Sequence, residues 1–124
     1  EANIQLVCEA GFMRIHSEWF AKMWEGRLLN IHPSLLPLFP GIRVHQQALD
    51  AGVKESGCTV HFVVAELDSG PTIAQAAVPV LPGDTVETLA ARILVEEHRI
   101  YPEAVKLVAE GKVKLENGKS VFSA

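Results

Sequence analysis

The stretch LLNIHPSLLPLFPG, residues 28–41, decides how the rest of the chain is read. It starts as an apolar run and ends in a loop with prolines at 33, 37 and 40. Side chains two apart on a strand point to the same face, so a strand over residues 28–31 delivers Asn30 and His32 side by side into one small space. Each proline fixes its own φ and turns the preceding residue away from helix, which makes the loop stiff and extended. A cis bond at Leu36-Pro37 would fix it further.

Upstream of this stretch, residues 4–8 read as a short apolar strand and residues 9–15 as the loop leaving its C-terminal end. Ser17 can cap a short helix with Trp19, Phe20 and Met23 on its inner side, ended by Gly26. Downstream, residues 45–51 read as a helix stopped by Gly52, and residues 58–64 as a strand of β-branched and aromatic residues. A turn over residues 66–71 leads to a strand over 73–80, antiparallel to the last because the connection is short. Asp84 with Glu87 three residues on has the capping-box pattern and opens the long helix, whose Val86, Leu89, Ala90, Ile93 and Leu94 recur at helical spacing. Pro102 predicts a kink or break before residues 104–109 continue to Gly111. Asn117-Gly118 between residues 113–115 and 120–122 is a hairpin signal.

Strands alternating with helices predict an α/β fold, Rossmann-like, with a mostly parallel sheet, flanking helices and a C-terminal hairpin. In such a sheet the loops at the C-terminal strand ends share a crevice, which brings together residues 11–16, 30–40 and 64–70.

A chain of 124 residues is one domain long. Apolar residues make up 48% and charged residues 21%, which argues for a globular protein and against disorder. Eleven basic against fifteen acidic residues give a net charge of −4 without a Lys or Arg cluster, so nucleic acid is not the expected partner. Cys8 and Cys58 lie in apolar strand-like runs without CxxC spacing and read as buried free thiols. No apolar run is long enough to span a membrane and no signal-peptide pattern opens the sequence, so the cytoplasm is the expected location. A strand as apolar as residues 4–8 calls for neighbours on both sides, which predicts that a segment belonging before it is missing.

NIHPSLLP at residues 30–37 followed by ELDSGP at 66–71 resembles the folate-dependent formyltransferases. AGFMRI at 10–15, GCTVHFV at 57–63 and EEHRIYP at 96–102 narrow the resemblance to the glycinamide ribonucleotide formyltransferases of purine synthesis. It runs over nearly the whole chain and implies that residues 1–124 are the C-terminal two-thirds of a formyltransferase domain, without the glycine-containing turn that holds the substrate phosphate. The tail after Gly111 looks closer to the eukaryotic form, in which this activity is one domain of a longer multifunctional purine-synthesis polypeptide.

The resemblance implies transfer of a formyl group from 10-formyltetrahydrofolate, the cosubstrate, to the amine of glycinamide ribonucleotide, with no metal. Such a transfer passes through a tetrahedral oxyanion and needs donors aimed at the developing charge and a group that relays a proton. Asn30 supplies amide donors, His32 a charged one when protonated, and Asp68 a carboxylate that favours the imidazolium. All three stand unaltered at the family's catalytic positions. Taken singly, the same residues also read as a turn amide, a strand-end histidine and a turn carboxylate.

By similarity to the family's pterin pocket, folate lies among Met13, Arg14, Ile15, Leu28 and the backbone of Val64, Ala65, Glu66, Leu67 and Asp68. Apolar walls with backbone donors and acceptors suit a flat heterocycle with amide-like edges. Met13, Ile15 and Leu28 read equally as core. His16 departs from the leucine common after FMRI in the family, which bears on pocket shape. Glu97 resembles the family's contact to the ribose or glycinamide portion of the amine substrate. Ser34 and His61 read as supporting residues around His32, while His45 and His98 have structural readings only.

Three alternatives stand beside this reading. Methionyl-tRNA formyltransferase and formyltetrahydrofolate deformylase share the Asn, His, Asp constellation; the first would carry a basic C-terminal RNA-binding domain, and the second transfers to water. His32, His61 and Asp68 could form a two-histidine, one-carboxylate metal site. A non-catalytic, folate-binding fragment is the third.

Overall fold

The computed structural model describes the backbone of residues 7–10 and, in full, residues 26–64 and 70–123. In chain order the elements are strands β1 (Val7–Ala10) and β2 (Leu28–His32), helix α1 (Val44–Ala51), strands β3 (Glu55–Phe62) and β4 (Thr72–Pro79), helix α2 (Val86–Ala109), and strands β5 (Val113–Glu116) and β6 (Lys119–Phe122). The first four strands form one sheet in the order β1-β2-β3-β4, and β5 and β6 form a separate hairpin. β1 pairs with β2 in parallel, whereas β2 with β3 and β3 with β4 are antiparallel. Strands and helices thus make the expected α/β fold, with its antiparallel pairings on the β3–β4 side. The predicted short helix around Ser17 lies outside the described residues. Glu9 and Ala10, read as loop, belong to β1.

One face of this sheet is apolar and packs on α2. Leu29 and Ile31 of β2, Cys58, Val60 and Phe62 of β3, and Ala76 and Val78 of β4 alternate onto it and meet Leu89, Ile93, Ile100 and Ala104 of the helix. Each of the larger aliphatic chains, fully withdrawn from water, contributes about 1.5–3 kcal/mol. Val86 and Ala90 lie at the margin of this contact and Leu94, expected at the sheet, is 46% exposed. The buried stripe instead follows residues 89, 93, 100 and 104, spaced by four and seven as one helix face requires.

The helix caps differ from expectation at one end. Thr85, not Asp84, is the N-cap: its hydroxyl accepts from the Thr88 N–H at 3.2 Å while the Thr88 hydroxyl accepts from the Thr85 N–H at 2.9 Å. Asp84 is taken by Arg92, whose guanidinium grips it through two bonds of 2.8 and 3.0 Å, and it also accepts from the Leu81 N–H at 2.7 Å. Such a charge-assisted fork is stronger than a neutral cap bond, which explains the exchange of roles. The Arg92 pairing and these donors hold the Asp84 carboxyl well below the usual carboxylate range. Pro102 does not break α2, which is continuous through it. The carbonyl deprived of its donor belongs to exposed His98, where water can reach it. Gly52 ends α1 in the left-handed conformation as expected, and Asn117 and Gly118 carry the hairpin turn at φ 52° and 75°.

β3 begins at Glu55, three residues before the predicted start. Gly57 is required inside the strand: a Cβ there would overlap the carbonyl of Ala76 on β4. Between Val60 and His61 the register with β4 slips by one residue, leaving Ile73 as the extra residue of a bulge.

Candidate active site

The face of the sheet opposite α2 is polar and covered. Asn30 and His32 project there from β2, 7% and 5% exposed. Across the ladder His61 stands opposite Asn30 and Thr59 opposite His32, and directly opposed antiparallel residues share a face. Ser34, Thr59 and His61 are buried with them. Burying this many polar side chains is costly unless they are bonded, and most are.

Thr59 is the anchor of the proline loop. Its hydroxyl donates to the Ser34 carbonyl at 2.7 Å and accepts from the Leu36 N–H at 3.1 Å and from the Gln75 side chain at 2.9 Å. Gln75 reaches on to the Leu36 carbonyl at 2.9 Å. Leu36-Pro37 is cis, and Phe39 sits at φ 51°, a left-handed conformation uncommon outside glycine. The fold therefore delivers the stiff loop that the prolines predicted, with its carbonyls turned inward. His32 donates from Nε2 to the Phe39 carbonyl at 2.9 Å, and the Ser34 hydroxyl donates to the carbonyls of Leu38 at 2.7 Å and Phe39 at 3.2 Å. His61 donates from Nδ1 to the carbonyl of Phe62 at 2.9 Å. The carbonyl oxygen of the Asn30 side chain is buried without a hydrogen-bond partner among the described residues.

Asp68 lies outside the described residues, as do Ala65, Glu66 and Leu67 and, further upstream, Met13, Arg14 and Ile15. The ends of the Asp68 loop are in view. The Val63 N–H donates to the Leu28 carbonyl at 2.8 Å, and the Phe62 N–H to the Pro71 carbonyl at 3.0 Å. Phe62 pairs with Leu29, so this loop departs beside Leu28 and Asn30, at the opposite end of β2 from His32. β3 runs antiparallel to β2 and so reaches this loop at the Leu28 end of β2. The middle of the loop and residues 11–16, expected to share a crevice with residues 30–40, lie outside the described residues. Gly70 closes the loop where a Cβ would overlap the Phe62 carbonyl. Leu28 is fully buried and Val64 half-buried at this end.

Glu97 is on the other side of β2. With Ile31, Leu94, His98, Tyr101 and Pro102 it lines a cavity of about 290 Å³ between α2 and the strand. Burial pushes the Glu97 carboxyl above its usual range, partly offset by His98. Ile31 separates Asn30 from His32 in sequence and points to the opposite face. The cavity and the polar pair therefore share one strand. Of this lining the sequence reading singled out Glu97 but did not join it to its neighbours, although residues 94, 97, 98 and 101 recur at i, i+3, i+4 and i+7, one face of a helix.

Two further groups sense the site. Burial, and then the neighbouring His32, lower the pKa of His45, whose Nε2 is covered without a partner among the described residues. Burial and the nearby Glu97 and Glu96 push the Cys58 thiol up to about 12, so it is an inert free thiol. Among the described residues no group of three or more His, Cys, Asp or Glu converges as metal ligands would, and no helix is long and apolar enough to cross a membrane.

The family model described as formyl transferase matches residues 1–105. The chain is 57% identical over 120 residues to the trifunctional purine biosynthetic protein adenosine-3 of Bos taurus, covering 96% of this chain and 12% of that protein. It is 52% identical over 110 residues to the phosphoribosylglycinamide formyltransferase of Escherichia coli, covering 89% of this chain and 52% of that enzyme. The crystal structure of glycinamide ribonucleotide transformylase 1 from Symbiobacterium toebii superimposes with a TM-score of 0.92 at 57% identity, over 97% of this chain and 57% of that one. The chain thus spans about half the length of these single-activity relatives. It belongs to the formyl transferase family.

Proposed function

We propose that this chain carries the formyl-transfer chemistry of a phosphoribosylglycinamide formyltransferase, moving the formyl group of 10-formyltetrahydrofolate to the amine of glycinamide ribonucleotide. The observation that carries the reading is Asn30 and His32 buried together on one face of β2, with a cavity bearing Glu97 against the other side of the same strand. Relatives over half identical are named for this activity.

In this mechanism the amine nitrogen attacks the formyl carbon and a tetrahedral oxyanion forms. The amide N–H of Asn30 and the protonated imidazole of His32 donate to that oxygen. Asp68 supports the imidazolium and passes the proton lost by the amine towards N10 of the folate, whose bond to the formyl carbon then breaks. A donor of this kind is worth about 2.7–4 kcal/mol of barrier. Glu97 holds the ribose or glycinamide portion of the amine substrate from the cavity side. The folate lies along Met13, Arg14, Ile15 and Leu28 and the backbone of Val64, Ala65, Glu66, Leu67 and Asp68, with Ser34 and His61 supporting the pair on β2. Residues 1–124 are the C-terminal part of such a domain, working in the cytoplasm and, as 57% identity to the trifunctional protein supports, within a longer purine-synthesis polypeptide.

The test is formyl transfer from 10-formyltetrahydrofolate with glycinamide ribonucleotide and water as competing acceptors. It is run on the chain alone and on the chain joined to the N-terminal segment of a formyltransferase relative, each with its Asp68→Asn variant. Transfer to the ribonucleotide that collapses in the variant supports the reading. Transfer to water alone would assign a deformylase, and folate binding without transfer in either form would assign a non-catalytic fragment.

A further inference from the structure

We infer that the main chain at Phe39, clamped by Ser34, holds His32 as its Nε2–H tautomer, so that only Nδ1 gains and loses a proton. The role of His32 in transfer rests on the function proposed above; the tautomer rests on geometry alone. The partner of Nε2 is a carbonyl oxygen, which can only accept, at 2.9 Å. Nε2 therefore bears a hydrogen in the neutral ring and in the cation alike. A neutral imidazole has one N–H, which leaves Nδ1 as the lone pair in the neutral form and the second donor in the charged one.

The carbonyl is held in place by a closed ring of contacts. The wholly buried Ser34 hydroxyl donates to the carbonyls of Leu38 at 2.7 Å and Phe39 at 3.2 Å. The Ser34 N–H returns to the carbonyl of His32 itself at 2.9 Å, and Thr59 pins the Ser34 carbonyl at 2.7 Å. Phe39 keeps its left-handed φ of 51° inside this ring, an unfavourable conformation for a bulky residue that a looser loop would relax. Ser34 and Phe39 are thus positioning residues. During transfer the Nε2–H stays where it is: the oxyanion contact uses Nδ1–H, and the net proton passes from the amine through Asp68 to N10.

Long-range nitrogen–proton NMR on the full chain, above the titration of its histidines, reads the tautomer without needing turnover. His32 is expected in the Nε2–H form, and an Nδ1–H form would overturn the inference. Ser34→Ala is expected to admit a second tautomer and to lower kcat about tenfold with KM unchanged; an unaltered His32 spectrum in that variant would remove Ser34 from the account. Two substitutions of His32 separate its nitrogens, since a glutamine amide reaches the Nε2 position and an asparagine amide the Nδ1 position. His32→Gln should unfold near the parent temperature, whereas His32→Asn should unfold about 4 °C lower. The opposite order would contradict the Phe39 bond. If the tautomer is as stated and neither the chain nor its joined form transfers formyl groups, the proposed function falls and this inference stands.

Discussion

The hydroxyl of Tyr101 donates to the main-chain carbonyl of Leu29 at 3.2 Å, tying the helix that carries Glu97 to the strand that carries Asn30 and His32. The two sides of the site are therefore coupled in position. At this length the bond lies beyond the optimum, and Tyr101→Phe is expected to cost about 0.5–1 kcal/mol in urea unfolding. The substitution should raise KM for the amine substrate several-fold while changing kcat little. Equal losses in both constants would show that Tyr101 acts on the chemical step instead.

Glu97 is kept partly out of water at the wall of an otherwise largely apolar cavity, and its pKa is raised by that burial. A carboxyl whose folded pKa lies above its unfolded value favours the fold while protonated, and that contribution is lost as pH rises through the folded pKa. Glu97→Gln should therefore raise the unfolding temperature at pH 7.5 and leave it nearly unchanged at pH 4. The same variant should bind the ribonucleotide at least tenfold more weakly. Thermal unfolding at the two pH values with substrate titration separates the two effects.

His45 titrates below its ordinary value of 6.5 because it is buried and faces His32. The unfolded chain then takes up the proton first, so stability falls as pH drops below 6.5 towards the folded pKa. The unfolding midpoint should decline between pH 7.5 and 5.5, and His45→Gln should flatten that decline. A variant with the parent's slope would assign the acid sensitivity to other groups.

Elements with strong local chemistry were legible in the sequence. Alternation and prolines placed β2 and its loop, Gly52 ended α1, and Asn117-Gly118 turned the last hairpin. What local pattern did not carry was decided by partners far along the chain. Asp84 lost the cap to Thr85 because Arg92 was there to claim its carboxylate. Gly57 looks like a turn residue until the Ala76 carbonyl is placed against it. Leu94 has the spacing of a core residue but borders a cavity that exists only once α2 lies on β2. Within the site, Asn30 and His32 were visible as a same-face pair. The Phe39 carbonyl and the Glu97 cavity were not, since a backbone acceptor and an empty volume leave no residue type to read.

If the pair on β2 carries formyl transfer, the rate from 10-formyltetrahydrofolate to glycinamide ribonucleotide falls in Asn30→Ala and in His32→Ala, each measured against the parent in whichever form transfers. Loss of one oxyanion donor should lower kcat about 10²–10³-fold with the fold retained by circular dichroism. A folded His32→Ala chain that transfers at the parent's rate would contradict the account.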